Sequence, residues 1–234
     1  MRTSAHPSAV LRPIAAGGES TRKFEFSPSV LMVSAPNRVG AEAIRALRTH
    51  LMAQHLQEGR RALSVCAASD GVGCTFVATN LAVALSQIGV KTLLIDADMR
   101  RPEVDRYIHG NQIERGLVQC LSSDEVDFGS VIEADVLPNL SIIFSGGQSS
   151  AAQDLLAGER FRDLAEFCLR EFDMTVIDTP PANLCADARR VATVLGYSVI
   201  VTRQNRTFIE DVKVLAAQLA SDHAKVVGTI LNEG

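Results

Sequence analysis

The sequence lacks the marks of several protein classes. Its five cysteines include no C-x-x-C pair, which argues against a zinc site and in favour of reduced thiols in a cytosol. Residues 1–28 are polar and lack the apolar core of a secretory signal peptide. The longest uncharged stretch, residues 71–90, is about as long as a membrane span. Because it starts in a glycine-rich loop and carries polar side chains, we expect a buried helix and a cytoplasmic protein.

Charge is distributed unevenly along the chain. Residues 1–61 contain 9 Lys and Arg against 4 Asp and Glu, whereas the remainder contains 14 against 23. Such a basic segment suits an acidic partner or an anionic membrane surface, and it equally suits a solvated face. Residues 1–33 are rich in Ser, Pro, Ala and Gly without periodicity, which predicts a flexible tail. The length of the rest predicts one domain over residues 34–234.

Helical and strand patterns alternate from residue 37 onward. An apolar stripe at helical spacing covers residues 37–58 and ends at Gly59. The later apolar runs are short and separated by helical segments, which predicts an α/β fold with a mostly parallel sheet and helices on both faces. The predicted strands are 62–67, 91–96, 140–144, 174–178, 197–202 and 225–231, and the later helices are 75–88, 116–121, 152–170, 186–195 and 209–219.

A glycine-rich loop follows the first of these strands. Residues 68–75 match the P-loop pattern A/G-x-x-x-x-G-K-[ST] at every position except Cys74, which stands in place of the lysine. Gly71 and Gly73 let the backbone approach a phosphate, and the loop amides and the helix N-terminus would bind that anion. Thr75 is placed to bind Mg²⁺ through its hydroxyl. The loop therefore predicts a P-loop nucleoside-triphosphatase fold.

Three aspartates mark the ends of two predicted strands. Asp96 and Asp98 follow the second strand, and Asp178 ends the fourth. In open α/β sheets the carboxyl edge is where ligands bind, and an aspartate after an apolar strand is the Walker B arrangement that holds Mg²⁺. The alternative is that these residues only end strands or cap helices. Their combination with the glycine loop favours a site for a magnesium nucleotide.

The motifs together resemble those of the bacterial tyrosine kinase family of capsule and exopolysaccharide biosynthesis, within the MinD/ParA-like P-loop ATPases. Residues 80–102 carry the family's G-x-K-T-L-L-I-D-A-D-M-R-R-P pattern. Residues 178–181 and 187–188 match its Walker B segment, and Asn232 lies in a closing V-G-T-I-L-N. Glu42, Arg45 and Arg48 match its E-x-x-R-x-x-R helix. The match runs in order from about residue 30 to residue 234.

The resemblance implies ATP or ADP with Mg²⁺ as cofactors and a role for each matched residue. It implies a homo-oligomer, such as a ring, and a partner in the cytosolic segment of a membrane chain-length regulator that is a separate protein. The protein is then expected in the cytoplasm, peripheral at the inner membrane, without a nucleic-acid partner. The nucleotide would contact Gly71, Val72, Gly73, Cys74, Thr75 and Asn232; Mg²⁺ would contact Thr75, Asp96 and Asp178; Asp96 and Asp98 would be catalytic; Glu42, Arg45 and Arg48 would contact the neighbouring subunit.

Cys74 is the main departure from the family pattern. A thiol cannot give the β- and γ-phosphates the positive charge of the lysine, and Arg100, Arg101 or Arg203 are candidates to replace it. A cysteine at a helix N-terminus is expected to have a lowered pKa and thiolate character. The alternative is an inert substitution in a degenerate loop.

Three functions stay open at this point. The first is an ATP-binding tyrosine kinase component of polysaccharide biosynthesis with weakened chemistry, and the second is a non-catalytic regulatory or scaffold partner. A MinD/ParA-type ATPase is disfavoured because residues 68–70 lack the second lysine of that group. Tyr107 and Tyr197 are the only tyrosines of the sequence, so the C-terminal tyrosine cluster typical of the family is not in it.

Overall fold

The computed structural model describes residues 24–54, 59–110, 113 and 115–233. Its strands are β1 Phe24–Phe26, β2 Ala62–Cys66, β3 Thr92–Asp96, β4 Ile108–Gly110, β5 Glu133–Leu137, β6 Leu140–Ile143, β7 Met174–Asp178, β8 Tyr197–Arg203 and β9 Lys225–Asn232. Its helices are α1 Leu31–Ser34, α2 Val39–Gln54, α3 Cys74–Ser86, α4 Val104–Tyr107, α5 Leu117–Ser122, α6 Ala152–Ala157, α7 Glu159–Glu171, α8 Asp187–Leu195 and α9 Ile209–Ser221. A 3₁₀ turn covers Phe128–Val131.

A seven-stranded sheet forms the centre of the molecule, in the order β5-β6-β3-β7-β2-β8-β9. All of its pairings are parallel except that of β5 with β6. The strands β6, β3, β7 and β2 are apolar on both faces because helices cover both sides of the sheet. This is expected for parallel sheets built from crossover connections. The predicted α/β fold with a mostly parallel sheet is confirmed.

Alternate side chains of each strand enter different cores. Leu94 and Val176 point to one face, where they join the core formed with α2 and α3. Leu93 and Ile177 point to the opposite face, where they pack with Phe161 of α7. The helix α3 is buried over most of its length, because it lies between the sheet and α2. This placement fixes the start of α3 at the carboxyl edge of the sheet.

The sheet edges are β5, which the sequence did not predict, and β9, which agrees with the predicted strand over residues 225–231. At one edge β5 pairs with β6 in the antiparallel sense, and Asn139, with φ of 65°, turns the chain between them. The sequence pattern predicts no strand there because β5 reads E-A-D-V-L, without an apolar run. At the other edge β9 pairs only with β8 among the described strands, and Leu231 on it is 60% exposed.

The predicted flexible tail over residues 1–33 is wrong for its last ten residues, while residues 1–23 lie outside the described part. The strand β1 pairs with β4 in the antiparallel sense, and Val30 and Met32 are buried. The side-chain amide of Asn80 holds this segment to α3, since it donates to the Ser29 carbonyl at 3.0 Å and accepts from the Met32 amide at 3.3 Å. Composition alone carries no sign of these contacts.

One predicted helix is divided in the structure. The helical pattern predicts a single helix over residues 152–170, but Gly158, at φ −69° and ψ 161°, is extended and separates α6 from α7. The predicted helix over residues 37–58 is α2, which ends at Gln54; residues 55–58 lie outside the described part. Within the described residues, every helix is too short or too polar to cross a membrane.

Candidate nucleotide site

The P-loop joins β2 to α3 at the carboxyl edge of the sheet. Gly71 and Gly73 both have left-handed backbone conformations, with φ of 67° and 97°. A Cβ atom at Gly73 would collide with the side-chain amide of Asn232. That amide donates a hydrogen bond to the Val72 carbonyl at 2.9 Å. The loop therefore needs glycine at these positions, and Asn232 is part of its wall, where the sequence analysis expected a nucleotide-binding residue.

Cys74 begins α3, as the pattern predicted, but the electrostatics of its thiol are the reverse of the prediction. Burial raises the pKa of Cys74 well above its ordinary value, and the neighbouring Asp178, Cys66 and Asp98 raise it further. Burial is the largest of these causes, and the three neighbouring groups, which become negative on ionisation, add to it. The expected thiolate character of Cys74 is therefore wrong, and the side chain is a neutral thiol at pH 7.

Asp96 and Asp178 lie side by side at the same edge. They are aligned residues of the parallel pair β3 and β7. One carboxylate oxygen of Asp96 accepts from the Asp98 amide and the other from the Val104 amide, each at 3.1 Å. Burial raises the pKa of Asp96 despite these two hydrogen bonds, and the charge of Asp98 raises it further. When two carboxylates lie close together in a buried site without a cation, the charge of one opposes the ionisation of the other.

Among the described residues, neither carboxylate oxygen of Asp178 has a hydrogen bond of ordinary geometry, although the residue is only 1% exposed. Its pKa is raised well above the ordinary value by burial first and by the charge of Asp96 second, and the nearby Thr75 hydroxyl opposes that rise only partly. Buried polar groups are normally paired, so an unpartnered carboxylate indicates a missing partner. A hydroxyl and a carboxylate oxygen are ligands that suit Mg²⁺, and the residues therefore fit that ion.

Asp98 occupies the loop after β3 and shapes it. Its carboxylate accepts from the backbone amides of Arg100 at 3.0 Å and Arg101 at 2.9 Å. Burial is the main reason why the pKa of Asp98 is raised, and these hydrogen bonds limit the shift. The side chain that the resemblance made catalytic is thus already bound to its own loop in this conformation.

An ion pair between the partly exposed Arg100 and the buried Asp187, which no sequence motif indicates, joins this loop to α8. Arg100 donates to the Asp187 carboxylate through Nε at 2.7 Å and through Nη2 at 3.2 Å. Asp187 is fully buried, so the pair is held in a bidentate geometry with little competing water. Arg100 is therefore committed to Asp187 and does not reach the P-loop. Sequence spacing could not predict this ion pair, because 87 residues separate Arg100 from Asp187.

Other arginines surround the P-loop. Arg101 pairs with Asp70 of the loop at 3.5 Å, on an exposed surface where both side chains keep most of their contact with water. Arg203 donates to the Gly71 carbonyl at 3.1 Å. Arg206, which the sequence analysis did not single out, packs against Gly71 itself. The expected compensation by Arg203 stays a prediction, but its position beside the loop is now defined.

The predicted subunit-contact residues lie on α2 and behave differently from one another. Glu42 and Arg45 form an exposed ion pair at 2.9 Å. Arg48 instead donates to the Ala84 carbonyl of α3 at 3.1 Å, near the C-terminus of that helix. The contact of these residues with a neighbouring subunit stays a prediction.

A cavity of about 330 Å³ opens beside Asp96. Asp105 and Phe144 line it, together with residues 145–148, which carry two glycines in left-handed conformations. Tyr107 is half-buried nearby, and burial raises the pKa of its phenol. The other tyrosine, Tyr197, is partly buried at the start of β8, with the Arg60 guanidinium over its ring.

The parallel sheet with a glycine-rich loop before α3 and carboxylates at its carboxyl edge is the arrangement of the P-loop nucleoside-triphosphatase class. A family model described as "AAA domain" matches residues 60–224. The chain belongs to this AAA-domain family, and the predicted membership of the bacterial tyrosine kinase group within the MinD-like P-loop ATPases is confirmed by the relatives that follow.

Two curated relatives and two solved structures illustrate the likeness. The chain is 30% identical over 203 residues to a tyrosine-protein kinase, wzc, of Salmonella typhi, and covers 28% of its length. It is 29% identical to the tyrosine-protein kinase YwqD of Bacillus subtilis, with 90% of this chain and 88% of the relative covered. The kinase domain of the Escherichia coli tyrosine kinase ETK superposes with a TM-score of 0.78 at 29% identity, over 87% of this chain and 79% of that one.

The second solved structure, MinD of Pyrococcus horikoshii with Mg-ADP, has a TM-score of 0.56 at 22% identity. It covers 74% of this chain and 70% of its own, and it shows the shared fold alone. The chain spans little more than a quarter of several of its curated relatives, wzc among them, and most of the length of YwqD.

Proposed function

We propose that this protein binds a magnesium nucleotide at the P-loop and acts as the kinase-like component of a capsule or exopolysaccharide system. The observation that carries the proposal is the buried, unpartnered carboxylate of Asp178 beside Thr75. A magnesium ion at this point would neutralise a charge that the fold otherwise leaves without a partner. The relatives named tyrosine-protein kinase support the class of reaction.

Each residue of the site then has a definable task. The amides of residues 71–75 would bind the phosphates at the N-terminus of α3, where the helix dipole favours an anion. Thr75 and Asp178 would hold Mg²⁺, which supplies charge neutralisation between the β- and γ-phosphates when it is bound. Asp96 would orient the metal shell through its position next to Asp178. Asp98 would accept a proton from a tyrosine hydroxyl through its other carboxylate oxygen, since both loop amides donate to Oδ1.

The neutral thiol of Cys74 limits the chemistry that we propose. Removal of one preorganised donor to a developing negative charge costs about 10²- to 10³-fold in rate. The raised pKa of Cys74 excludes the thiolate that would repel phosphate, so binding is not opposed at this position. We therefore propose that nucleotide affinity is retained and that phosphoryl transfer to tyrosine is slow.

The same substitution carries a second candidate function, a non-catalytic regulatory or scaffold partner. In that case nucleotide would stabilise the conformation that contacts a membrane chain-length regulator, without transfer of phosphate. Glu42 and Arg45 stay exposed on α2 and are available for contacts between copies of the chain. The ring-shaped homo-oligomer, the regulator and a location at the inner membrane belong to both versions of the proposal.

Calorimetry and a phosphotyrosine assay test the proposal with four proteins. They are the unmodified chain, Cys74→Lys, Asp178→Asn and the exposed control Asp163→Asn. We expect the unmodified and control proteins to bind Mg-ATP, Asp178→Asn to lose magnesium-dependent affinity, and Cys74→Lys to form phosphotyrosine faster by about 10²-fold. Phosphotyrosine absent from the unmodified protein but present in Cys74→Lys would support the non-catalytic candidate. Equal Mg-ATP binding by Asp178→Asn and the control would contradict the proposed site.

A further inference from the structure

The turn between β8 and α9 is built to present two arginines to the P-loop. The Thr207 hydroxyl accepts from the Arg203 amide at 2.9 Å, and the amides of Arg206 and Thr207 both donate to the Arg203 carbonyl. Asn205 takes a left-handed conformation, with φ of 58°. The Gln204 amide donates to the Asn232 carbonyl at 3.0 Å, which fixes the turn to the end of β9.

Both arginines of this turn reach Gly71. The Arg203 guanidinium donates to the Gly71 carbonyl at 3.1 Å. A Cβ atom at Gly71 would lie 2.6 Å from Nη2 of Arg206 and 2.9 Å from its Nη1, so this guanidinium covers the glycine face of the loop. Within the described part of the chain, neither guanidinium has a carboxylate at ion-pair distance. Two cations therefore stand at the loop without a bound countercharge.

The other arginines near the loop are less suited to bind an anion there. Arg100 is held by the buried carboxylate of Asp187. Arg101 already has an acidic neighbour in Asp70, which belongs to the loop itself. Arg203 and Arg206 are thus the guanidinium groups that reach the loop without a carboxylate partner among the described residues; Arg203 donates to the loop backbone, whereas the Nη atoms of Arg206 cover the glycine face of Gly71.

A second set of observations points to a ligand at the same place. Asp178 is buried without a hydrogen-bond partner, and it faces Thr75 in the first turn of α3. The hydroxyl of Ser69 in the P-loop is buried and unpartnered as well. A group with both a cation and anionic oxygens would satisfy Asp178 on one side and Arg206 on the other. The phosphates of a magnesium nucleotide have this composition.

We propose that Arg206 supplies the positive charge that Cys74 removes from the P-loop, and that it does so by binding the terminal phosphates of the nucleotide. Arg203 holds the loop backbone and supports the turn. This inference rests on the proposed nucleotide binding and assigns it a particular cation. A guanidinium offers two parallel donors to phosphate oxygens, so it replaces an ammonium in charge while adding a fixed orientation.

Calorimetry with Mg-ATP and with adenosine tests the inference. We expect Arg206→Gln to weaken Mg-ATP binding about 10- to 100-fold, since a hydrogen bond to a charged group is lost, and to leave adenosine binding unchanged. Arg206→Lys should keep part of the affinity. The matched control is Lys213→Gln, which removes one exposed positive charge from α9 away from the loop. The double variant Cys74→Lys with Arg206→Gln should regain the affinity for Mg-ATP.

Each remaining outcome is decisive. If Arg206→Gln binds Mg-ATP as tightly as the Lys213→Gln control, the inference is overturned while nucleotide binding stands. Equal weakening of Mg-ATP and adenosine by Arg206→Gln would also overturn it, because the effect would then be structural. If the unmodified protein binds no Mg-ATP and Cys74→Lys does, both the inference and the proposed function of the unmodified chain are wrong.

Discussion

Replacement of Asp178 by asparagine should stabilise the nucleotide-free protein at high pH. The pKa of the adjoining Asp96 rises from 3.8 to about 7, and that of Asp178 is raised as well, mainly by burial. Each pKa unit corresponds to about 1.4 kcal/mol, so the shift of Asp96 alone corresponds to about 4 kcal/mol of folding free energy, and the pKa of Asp178 is raised for the same main cause, burial. An asparagine amide without partners costs about 1 to 2 kcal/mol, which offsets part of the gain from removing the charge. We therefore expect Asp178→Asn to be more stable than the unmodified protein at pH 8.

The sign of this effect depends on pH. A carboxyl group whose pKa is higher in the folded protein keeps its proton there while the unfolded chain ionises, so stability falls as pH rises from about 4 through the raised pKa. Near pH 5 the unfolded carboxyl has ionised over only about one pH unit, so the gain from Asp178→Asn should be much smaller than at pH 8. Urea unfolding at pH 5, 6, 7 and 8 would give the two curves, with Asp163→Asn as the control on an exposed helix.

The same unfolding experiment can also measure the effect of magnesium on stability. Addition of MgCl₂ at pH 8 should stabilise the unmodified protein and the control, but not Asp178→Asn, because binding to the folded state alone raises stability. An Asp178→Asn protein that is less stable than the control at pH 8, or whose stability falls with pH as steeply, would refute the reasoning about an uncompensated carboxylate pair.

Three further changes probe the scaffold around the site. Arg100→Met should cost about 3 kcal/mol of unfolding free energy, because it leaves the buried Asp187 unpaired; a loss below about 1 kcal/mol in urea would contradict that account. Arg189 lowers the pKa of Asp222, so their ion pair should stabilise the protein above about pH 4 and lose its effect as pH falls further. Asp222→Asn should therefore cost about 1 kcal/mol of unfolding free energy at pH 7. An equal cost at pH 3 would contradict this account of the ion pair. Phe161→Ala should cost about 3 to 5 kcal/mol of unfolding free energy by leaving a cavity between α7 and the sheet. Thermal unfolding measures this loss, and an unchanged melting temperature would contradict the prediction.

The central sheet could be predicted from the sequence because its strands are apolar on both faces. Runs such as residues 174–178 are short and show no alternation, and between helical segments that pattern indicates a strand of a parallel sheet that is buried on both sides. Short elements outside this pattern escaped prediction, and β1 and β5 are two examples. The strand β1 lies within a compositionally simple segment, and β5 is polar, so both are defined by tertiary pairing and not by local sequence.

The candidate site shows the same division. Cys74, Thr75 and Asp178 come from motifs with fixed spacing, so their place beside one another followed from the order of strands. The contacts of Arg206 with the loop and of Asp187 with Arg100 could not be predicted, because they join segments that are distant in the sequence and show no local pattern. The shift of the Cys74 thiol pKa was predicted with the wrong sign because the prediction considered only the helix terminus; the burial of the thiol, and secondarily the nearby carboxylates, become apparent only in three dimensions.

The hydrogen bond between the Asn232 side chain and the P-loop affects the order in which parts of the chain fold. The amide that holds the Val72 carbonyl comes from a residue 160 positions further along the chain. Contacts of such long range form late, because the intervening chain must first be ordered. During synthesis the loop residues leave the ribosome long before the residue that holds them. In a nascent chain the P-loop would therefore gain this hydrogen bond only after β9 has joined the edge of the sheet.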